Sequence, residues 1–267
     1  MFTKFKISKN TIQSLKANVG EIDLLDQVDT EKDFYSDILN YVTGEDGVLD
    51  GTQLQNLDFP SLRREYDVFI SYSHNDEDEA LYLASWLTNH CGLTCFLDST
   101  VWHSADALLK EIDDKYCYQP ESKTYNYKKR NFSTSHIHAM LTMAMHDVIN
   151  KSECCIAIES DQSYPIQNGI ETCTLSPWIY EEVAFITHMR PKLPMRYSNF
   201  TLRLFSEGGQ LCESREQQPL TVKYSVNLTS FPSLLERDVR ALQYQGQDGL
   251  DELYKTKGIF RRTLFNQ

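Results

Sequence analysis

The sequence predicts an α/β fold in which a mostly parallel sheet is flanked by helices. Three observations support this prediction: short apolar strands alternate with amphipathic helices from residue 65 onward, polar residues end each strand, and the helices carry recognisable start and stop residues. Such alternation is typical of parallel sheets, because the helix that connects two parallel strands must pack on a face of the sheet.

The residues that precede this pattern are predicted to form a helical N-terminal extension. Residues 1–64 are mostly polar, and apolar side chains recur at helical spacing from Phe34 to Val42. Gly44 ends this helix, and the following residues to about Pro60 have the composition of a linker. We therefore expect this part of the chain to lie outside the sheet.

The strand and helix pattern begins at Tyr66. Val68-Phe69-Ile70 is a short apolar strand, and the polar segment Ser73–Asp76 follows it. A helix is then predicted from about Glu77 to Asn89, and Gly92 stops it because glycine readily adopts the backbone conformation that ends helices.

The middle of the chain continues the same alternation. Leu93–Leu97 is predicted to be the second strand, Ala105–Asp114 a helix, Ser135–Asn150 another helix, and Cys154–Ile158 the third strand. Residues 115–133 interrupt the pattern, since they are polar and rich in tyrosine, and we interpret them as an inserted loop.

The last well-defined helix has the clearest sequence signal for a helix N-terminus. Ser176 can cap its first turn, Pro177 suits the first helical position, and the helix is predicted to run to about His188. Beyond this helix the pattern weakens. We assign residues 65–258 to one domain and residues 259–267 to a C-terminal tail.

Composition excludes several classes of function. The formal net charge is −12, and the short run Lys128-Lys129-Arg130 is the only basic cluster, so nucleic acid is not an expected partner. No apolar run approaches the roughly 20 residues that span a bilayer, so no membrane association is expected. The seven cysteines form no C-x-x-C pair, which argues against a metal site and favours a reducing cytoplasm.

Three loops are predicted to meet where the strands of the sheet end. They are Ser71–Asp76, Asp98–Asp106 and Ser160–Ser176, and open α/β sheets bind ligands at this edge. None of them contains a G-x-G-x-x-G or a Walker A motif, which argues against a dinucleotide-dependent dehydrogenase and a P-loop NTPase.

Three segments of the chain together resemble the Toll/interleukin-1 receptor (TIR) domain family, in particular its bacterial members. In the order that the family shows, they are Tyr66-Asp67-Val68-Phe69-Ile70-Ser71-Tyr72-Ser73, Cys95-Phe96-Leu97-Asp98 and Ser176-Pro177-Trp178-Ile179-Tyr180-Glu181-Glu182. The resemblance covers about residues 65–190 and implies a flavodoxin-like fold. The chain departs from the pattern in the loop Ser99–Asp106, which has no glycine and offers Trp102 and His103 instead.

Catalytic members of this family cleave NAD⁺ at the bond between nicotinamide and ribose. The resemblance implies that Glu182, four residues after Trp178, is the catalytic carboxylate. The adjacent Glu181 is its rival, but successive helical residues point about 100° apart, so both cannot face one cleft. A carboxylate near the ribose can stabilise the positive charge that develops as the bond breaks, as in glycoside hydrolysis.

The resemblance implies that NAD⁺ is the substrate and that no cofactor is needed, and the remaining predicted site residues are assigned to substrate binding. Aromatic rings can stack on nicotinamide or adenine, and hydroxyl groups can bond to ribose or phosphate. The predicted substrate-binding residues are Ser71, Tyr72, Ser73, Asp98, Trp102 and Trp178. The alternatives are structural: Trp178 in the core, Trp102 as a surface plug, and Asp98 as the cap of a turn.

The resemblance implies a role in bacterial antiphage immunity. In that role the enzyme would associate with copies of itself and release ADP-ribose or a cyclic or conjugated ADP-ribose signal for a separate effector. Two other functions fit parts of the pattern. One is a TIR adaptor that acts by self-association and needs no catalytic glutamate, and the other is an enzyme similar to nucleoside deoxyribosyltransferases.

Overall fold

In a computed structural model, the described residues are 1–26, 34–59, 65–102, 104–167, 171–197, 224–226 and 228–259. The predicted C-terminal tail therefore lies almost entirely outside them. The strands are β1 (Thr3–Ser8), β2 (Tyr66–Ser71), β3 (Cys95–Phe96), β4 (Tyr118–Gln119), β5 (Thr124–Tyr125), β6 (Ser152–Glu159), β7 (Ile166–Gln167), β8 (Glu171–Thr174), β9 (Tyr224–Ser225) and β10 (Ser233–Leu234).

The helices alternate with these strands along much of the chain. They are α1 (Lys9–Val19), α2 (Phe34–Val42), α3 (Gly51–Asp58), α4 (Glu77–Cys91), α5 (Ala105–Tyr116), α6 (Tyr127–Lys151), α7 (Pro177–His188), α8 (Glu236–Arg240) and α9 (Gly246–Thr256). Short 3-10 helices cover His74–Asp76, Asp98–Thr100 and Met195–Tyr197.

The central sheet has five strands in the order β10-β1-β6-β2-β3. Every neighbouring pair in it is parallel. The protein therefore has the predicted α/β architecture, with a parallel sheet flanked by helices that is consistent with a flavodoxin-like fold. Two smaller antiparallel sheets pair β4 with β5 and join β7, β8 and β9.

The chain forms two compact units, and their boundaries differ from the predicted domains. The first unit comprises Met1–Leu25, Glu65–Leu97 and Ile149–Gln267, and it contains the central sheet. The second comprises Asp26–Arg64 and Asp98–Val148. The segment that we expected to be a continuous extension, residues 1–64, is therefore divided between the two units.

The start of the chain is a strand, which the sequence analysis did not predict. Strand β1 lies inside the sheet between β6 and β10, with Phe5 paired to Ile156 and Ile7 to Ile158. Phe5 and Ile7 have no exposed surface. The expectation of a purely helical extension is wrong here, because apolar residues alternate with Lys4 and Lys6, which is the period of a strand.

The sheet divides its side chains between two faces, because successive residues of a strand point to opposite sides. One face supplies residues of β1, β2 and β6 to a buried cluster that also contains side chains of α1, α4 and α9. The alternate residues, among them Phe69, Ser71 and Cys155, are not in this cluster. One of them, Ser71, bonds to α7, so α7 lies on the opposite face.

Three of the four principal helices form where the sequence predicts them, whereas α6 begins at Tyr127, eight residues before the predicted Ser135 and within the segment expected to be a loop. Helices α4, α5 and α7 begin at the expected residues. Gly92 ends α4 with a φ of 69°, a left-handed conformation that favours glycine. Ser176 caps α7 by accepting a hydrogen bond from the backbone N–H of Ile179, and Pro177 occupies the first turn. Local start and stop residues thus determine these boundaries.

The predicted inserted loop contains regular structure. Strands β4 and β5 form a short hairpin in which the rings of Tyr118 and Tyr125 meet edge to face, with centroids 5.4 Å apart. The buried Asp113 accepts hydrogen bonds from Arg130 Nε at 2.8 Å and Ser133 Oγ at 2.5 Å, which fixes the start of α6. Tyrosine and threonine favour strands, so the composition that suggested a loop also suits a hairpin.

The described helices include none that is long and apolar enough to cross a bilayer. The cysteines Cys154 and Cys155 are fully buried in the central strand β6, and Cys95 of β3 is half-buried.

Candidate active site

A serine and a glutamate from distant parts of the sequence meet at the carboxyl end of β2. Ser71 is the last residue of that strand, and its hydroxyl donates a hydrogen bond to Oε2 of Glu182 at 2.5 Å, across 111 residues of sequence. Ser71 is 1% exposed, whereas Glu182 is partly buried. Two residues that the sequence assigns to the site are thus brought into direct contact.

The position of Glu182 follows from the way α7 packs. Ile179, Val183 and Ile186 recur at helical spacing and are buried, so they hold one side of the helix against the protein. Viewed down the helix axis, Glu182 lies about 60° to 70° from the middle of this buried side, and so at its border. Glu181 lies about 100° beyond Glu182, and so on the opposite side of the helix. Helix geometry therefore turns Glu182, rather than Glu181, toward the end of β2.

The bond from Ser71 has two consequences for the carboxylate. A hydroxyl that donates to an ionised oxygen makes a stronger and shorter hydrogen bond than one between neutral groups. Because Ser71 is fixed by the sheet and buried, the bond also restrains the rotation of the Glu182 side chain. The arrangement can hold a negative charge in one orientation while part of the side chain stays exposed.

The negative charge of Glu182 reaches two buried acidic groups. Burial raises the pKa of the Cys155 thiol well above its usual range, and the charge of Glu182 raises it further. Burial and then the same charge likewise raise the pKa of the Tyr164 hydroxyl. Both groups remain protonated at neutral pH, so Glu182 is the group of this cluster that is suited to carry negative charge.

A second cluster fixes the loops beside the site. Asp76 has no exposed surface, and its carboxylate accepts hydrogen bonds from Lys9 Nζ at 2.9 Å, Ser163 Oγ at 3.0 Å and the hydroxyl of Ser160. These residues follow β2, β1 and β6, which are three strands of the sheet. The prediction that the loops Ser71–Asp76 and Ser160–Ser176 meet is therefore confirmed, and Asp76 is what joins them.

Two predicted substrate-binding residues next to Ser71 have other contacts. Tyr72 packs against the buried cluster on the other face of the sheet, and its ring lies edge-on to His74 at 6.2 Å. Alternation along the strand explains this, since Tyr72 must point away from Ser71. Ser73 is half-buried and precedes a 3-10 helix, and its carbonyl accepts the backbone N–H of Asp76 at 2.7 Å.

Trp178 is half-buried and lies one helical turn before Glu182. Residues four apart on a helix are neighbours on its surface, so the two side chains emerge on the same side of α7. The proposed stacking of Trp178 on a substrate ring stays a prediction.

Asp98 and Trp102 belong to the second compact unit. The carboxylate of Asp98 accepts the backbone N–H of Ser99 at 2.8 Å, and its carbonyl accepts that of Trp102 at 2.7 Å, so Asp98 organises the turn that follows it. Trp102 is 7% exposed and meets Phe59 edge to face at 5.7 Å. Their roles in substrate binding stay predictions, and His103 lies outside the described residues.

Sequence reasoning did not single out Tyr164 or Lys6. Tyr164 lies in the loop Ser160–Ser176, which the sequence placed near the site without indicating a role for any single residue of it. Lys6 stood in the expected extension, yet it pairs with Ala157 of β6, the residue that also pairs with Ser71 of β2. Its ammonium group bonds to Glu159 at 2.8 Å. The alternation of lysine with apolar residues was the available indication that this segment belongs to the sheet.

Within the part of the chain that the structure describes, no group of three or more histidine, cysteine, aspartate or glutamate side chains is placed to hold a metal ion. The described side chains at the candidate site supply a carboxylate, a serine hydroxyl, a thiol and a phenol.

Comparisons with models of protein families, with curated proteins and with solved structures give no match for this chain.

Proposed function

We propose that this protein cleaves NAD⁺ at the bond between nicotinamide and ribose, with Glu182 as the catalytic carboxylate. The observation that carries the proposal is the 2.5 Å hydrogen bond from Ser71 to Glu182 at the carboxyl end of a parallel strand. Ligands of open α/β sheets bind at this edge, and both residues belong to segments that resemble TIR domains.

The reaction needs a stabiliser of positive charge more than it needs a strong acid. When the C–N bond breaks, its electron pair leaves with nicotinamide, which becomes neutral, and the ribose becomes positively charged and oxocarbenium-like. A fixed carboxylate beside the ribose stabilises that charge. Water then adds to the ribose carbon and releases a proton, which gives ADP-ribose. A nucleophilic nitrogen or hydroxyl in place of water gives a cyclic or conjugated product.

The surroundings of Glu182 suit this role. Ser71 holds the carboxylate without neutralising it, since a hydroxyl carries no charge. The buried Cys155 and Tyr164 stay protonated and lower the local polarity, which strengthens the attraction between the carboxylate and a cationic sugar.

The biological setting belongs to the same proposal. By its resemblance to bacterial TIR proteins, the chain acts in antiphage immunity in the cytoplasm. It associates with copies of itself and makes a nucleotide signal for a separate effector. Activity per molecule should then increase with protein concentration, and a constant value across a hundredfold dilution series would count against self-association.

The decisive experiment is to incubate concentrated protein with NAD⁺, with and without lysate of phage-infected cells, and to identify the products by mass spectrometry. We expect free nicotinamide together with ADP-ribose or an isomer of cyclic ADP-ribose. Cleavage of free nucleosides but not NAD⁺ would favour an enzyme similar to nucleoside deoxyribosyltransferases. No cleavage under either condition would contradict the proposal and favour an adaptor.

A further inference from the structure

One side of α6 is exposed although it carries large apolar side chains. Phe132 is 68% exposed and Met143 is 60% exposed. His136 and Ala139 lie between them along the helix and are also exposed. Because a helix turns about 100° per residue, these four positions fall within about 60° of one another around its axis. They form one continuous stripe, which we call the α6 stripe.

The α6 stripe points away from the interior of the second compact unit, to which it belongs. Ile137, Ala144 and Val148 are buried and lie on the other half of the helix surface. The ring of His136 meets that of Phe132 edge to face, with centroids 4.4 Å apart, so the stripe is already ordered in the single chain. Contiguous exposed apolar side chains mark interaction sites, whereas isolated ones are common on any surface.

The spacing of the α6 stripe suits a second copy of the same helix. Phe132 and Ala139 are seven residues apart, as are His136 and Met143, and paired helices repeat their contacts at this interval. Two stripes can meet antiparallel about a twofold axis that passes between positions 137 and 138. Phe132 of one copy then faces Met143 of the other, and His136 faces the small Ala139. Aromatic rings and thioether sulfurs attract each other, so the stripe is complementary to itself.

Charges at the two ends of the stripe favour the same orientation. The first turn of α6 contains no acidic residue, and Lys128 and Lys129 are exposed there. In the antiparallel arrangement, Lys128 of one copy faces Asp147 of the other, close to the negative end of that helix's dipole. A parallel arrangement would instead place Lys128 beside Lys128, which is unfavourable. Charge complementarity therefore supports a second copy of this chain as the occupant of the stripe.

We infer that the α6 stripe is a self-association surface, on which a second copy of this chain docks antiparallel through its own α6. The inference assigns a surface to the self-association that belongs to the proposed function, and the contacts that support it do not involve the NAD⁺ reaction. A single pair of helices gives a small interface compared with the roughly 1,200 Å² of total surface that stable interfaces bury. The dimer should therefore form and dissociate as the protein concentration changes.

The first test measures association by sedimentation velocity of the full chain, without NAD⁺, over a hundredfold range of concentration. The wild type should shift from monomer toward dimer. Met143→Lys removes two apolar contacts per dimer and adds a cation near Lys128 of the opposite copy, so the dissociation constant should rise at least about tenfold. The matched control is Tyr41→Lys, since Tyr41 of α2 is 75% exposed and lies outside the stripe.

The control should associate like the wild type. A wild type that stays monomeric throughout would overturn the inference and leave the stripe to a different partner. Equal dissociation constants for Met143→Lys and the wild type would also overturn it, because the dimer would then use another surface.

The second test determines the orientation of the two helices. Protein carrying Phe132→Cys is mixed with tagged protein carrying Met143→Cys under mild oxidation, and the wild type controls for the native cysteines. In the antiparallel arrangement the two new thiols meet. Two copies of the same variant hold theirs about 16 Å apart along the helix axis, beyond the reach of a disulfide. We expect disulfides in the mixture alone. Disulfides within either variant by itself, or none at all, would contradict antiparallel docking.

The outcomes distinguish this inference from the proposed reaction. Nicotinamide release by a wild type that shows no association would overturn the α6 surface and leave the reaction standing. Association that Met143→Lys weakens, in a protein that releases no nicotinamide, would support the surface and refute the reaction.

Discussion

Glu182 and Asp76 are two carboxylates at the same edge of the sheet, and their surroundings differ in kind. Asp76 has no exposed surface and is bound by an ammonium group and two hydroxyls. Glu182 is partly exposed and accepts a hydrogen bond from the neutral hydroxyl of Ser71. Lys9 compensates the charge of Asp76 inside the protein, whereas Glu182 is partly open to solvent and is oriented by Ser71.

The difference indicates that the two carboxylates have different roles, one in stability and one in contact with a substrate. A buried carboxylate bonded to residues that follow three separate strands stabilises the arrangement of the loops. A restrained carboxylate that is partly open to solvent suits contact with a substrate. We therefore expect changes at Asp76 to lower stability, and changes at Glu182 to lower activity.

Among the supporting residues, Asp76 should show the largest effect on stability. Asp76→Ala removes a buried acceptor from two hydroxyls and one cation, so the free energy of unfolding should fall by about 3 kcal/mol. Urea denaturation measures this loss. The matched control is Glu79→Ala, because Glu79 also pairs with Lys9, at 3.1 Å, but is partly exposed. The control should lose less than about 1 kcal/mol. Equal losses for the two variants would show that Asp76 is no more important for stability than an ordinary surface ion pair.

Asp58, a carboxylate of the second unit, allows a test by pH. It has no exposed surface, and burial raises its pKa to about 7. An unfolded aspartate has a pKa of about 3.9, so between these values the folded state binds the proton more tightly. Stability should therefore fall as the pH rises from about 4 through about 7, by an amount on the order of 2 kcal/mol.

The measurement for Asp58 is the melting temperature between about pH 5 and pH 8. Asp58→Asn cannot ionise and should show a flatter dependence on pH than the wild type. If the melting temperatures of the two proteins changed with pH in parallel, the titration of Asp58 would not be the cause of the pH dependence of stability in this range.

Ser71 should have a smaller effect, and on activity more than on stability. Ser71→Ala removes the donor that orients Glu182, so nicotinamide release should fall about tenfold, which corresponds to about 1.4 kcal/mol. Ser85→Ala is the matched control, since Ser85 is also buried but bonds to backbone groups of Leu81 and Leu25. It should lose stability and retain activity. Equal rates of nicotinamide release by the two variants would show that Ser71 does not contribute to catalysis.

The sequence predicts most of the fold where local residues determine it. Ser176 and Pro177 start α7, and Gly92 ends α4, because caps act within one turn of a helix. Strand β1 was missed because its lysines resembled a polar extension. Its place between β6 and β10 depends on pairing with strands about 150 and 230 residues away, which no local pattern specifies.

The candidate site shows the same limit. The resemblance to TIR domains, through the Trp178 and Glu182 spacing, pointed to this carboxylate as the candidate, and strand alternation could have separated Ser71 from Tyr72. The contact between Ser71 and Glu182 depends on how α7 packs on the sheet. The burial of Tyr164 gave no local indication either, since it lies in a turn that Ser163 anchors to the distant Asp76.

The central claim is that Glu182 serves chemistry and not stability, and one pair of variants tests it most directly. Nicotinamide release from NAD⁺ and the melting temperature are measured for Glu182→Gln and Glu181→Gln beside the wild type. We predict that Glu182→Gln loses about 3–4 kcal/mol of transition-state stabilisation, or roughly 10²–10³ in rate, with little change in melting temperature. Glu181→Gln should keep most of its activity. Full NAD⁺ cleavage by a well-folded Glu182→Gln protein would contradict the account.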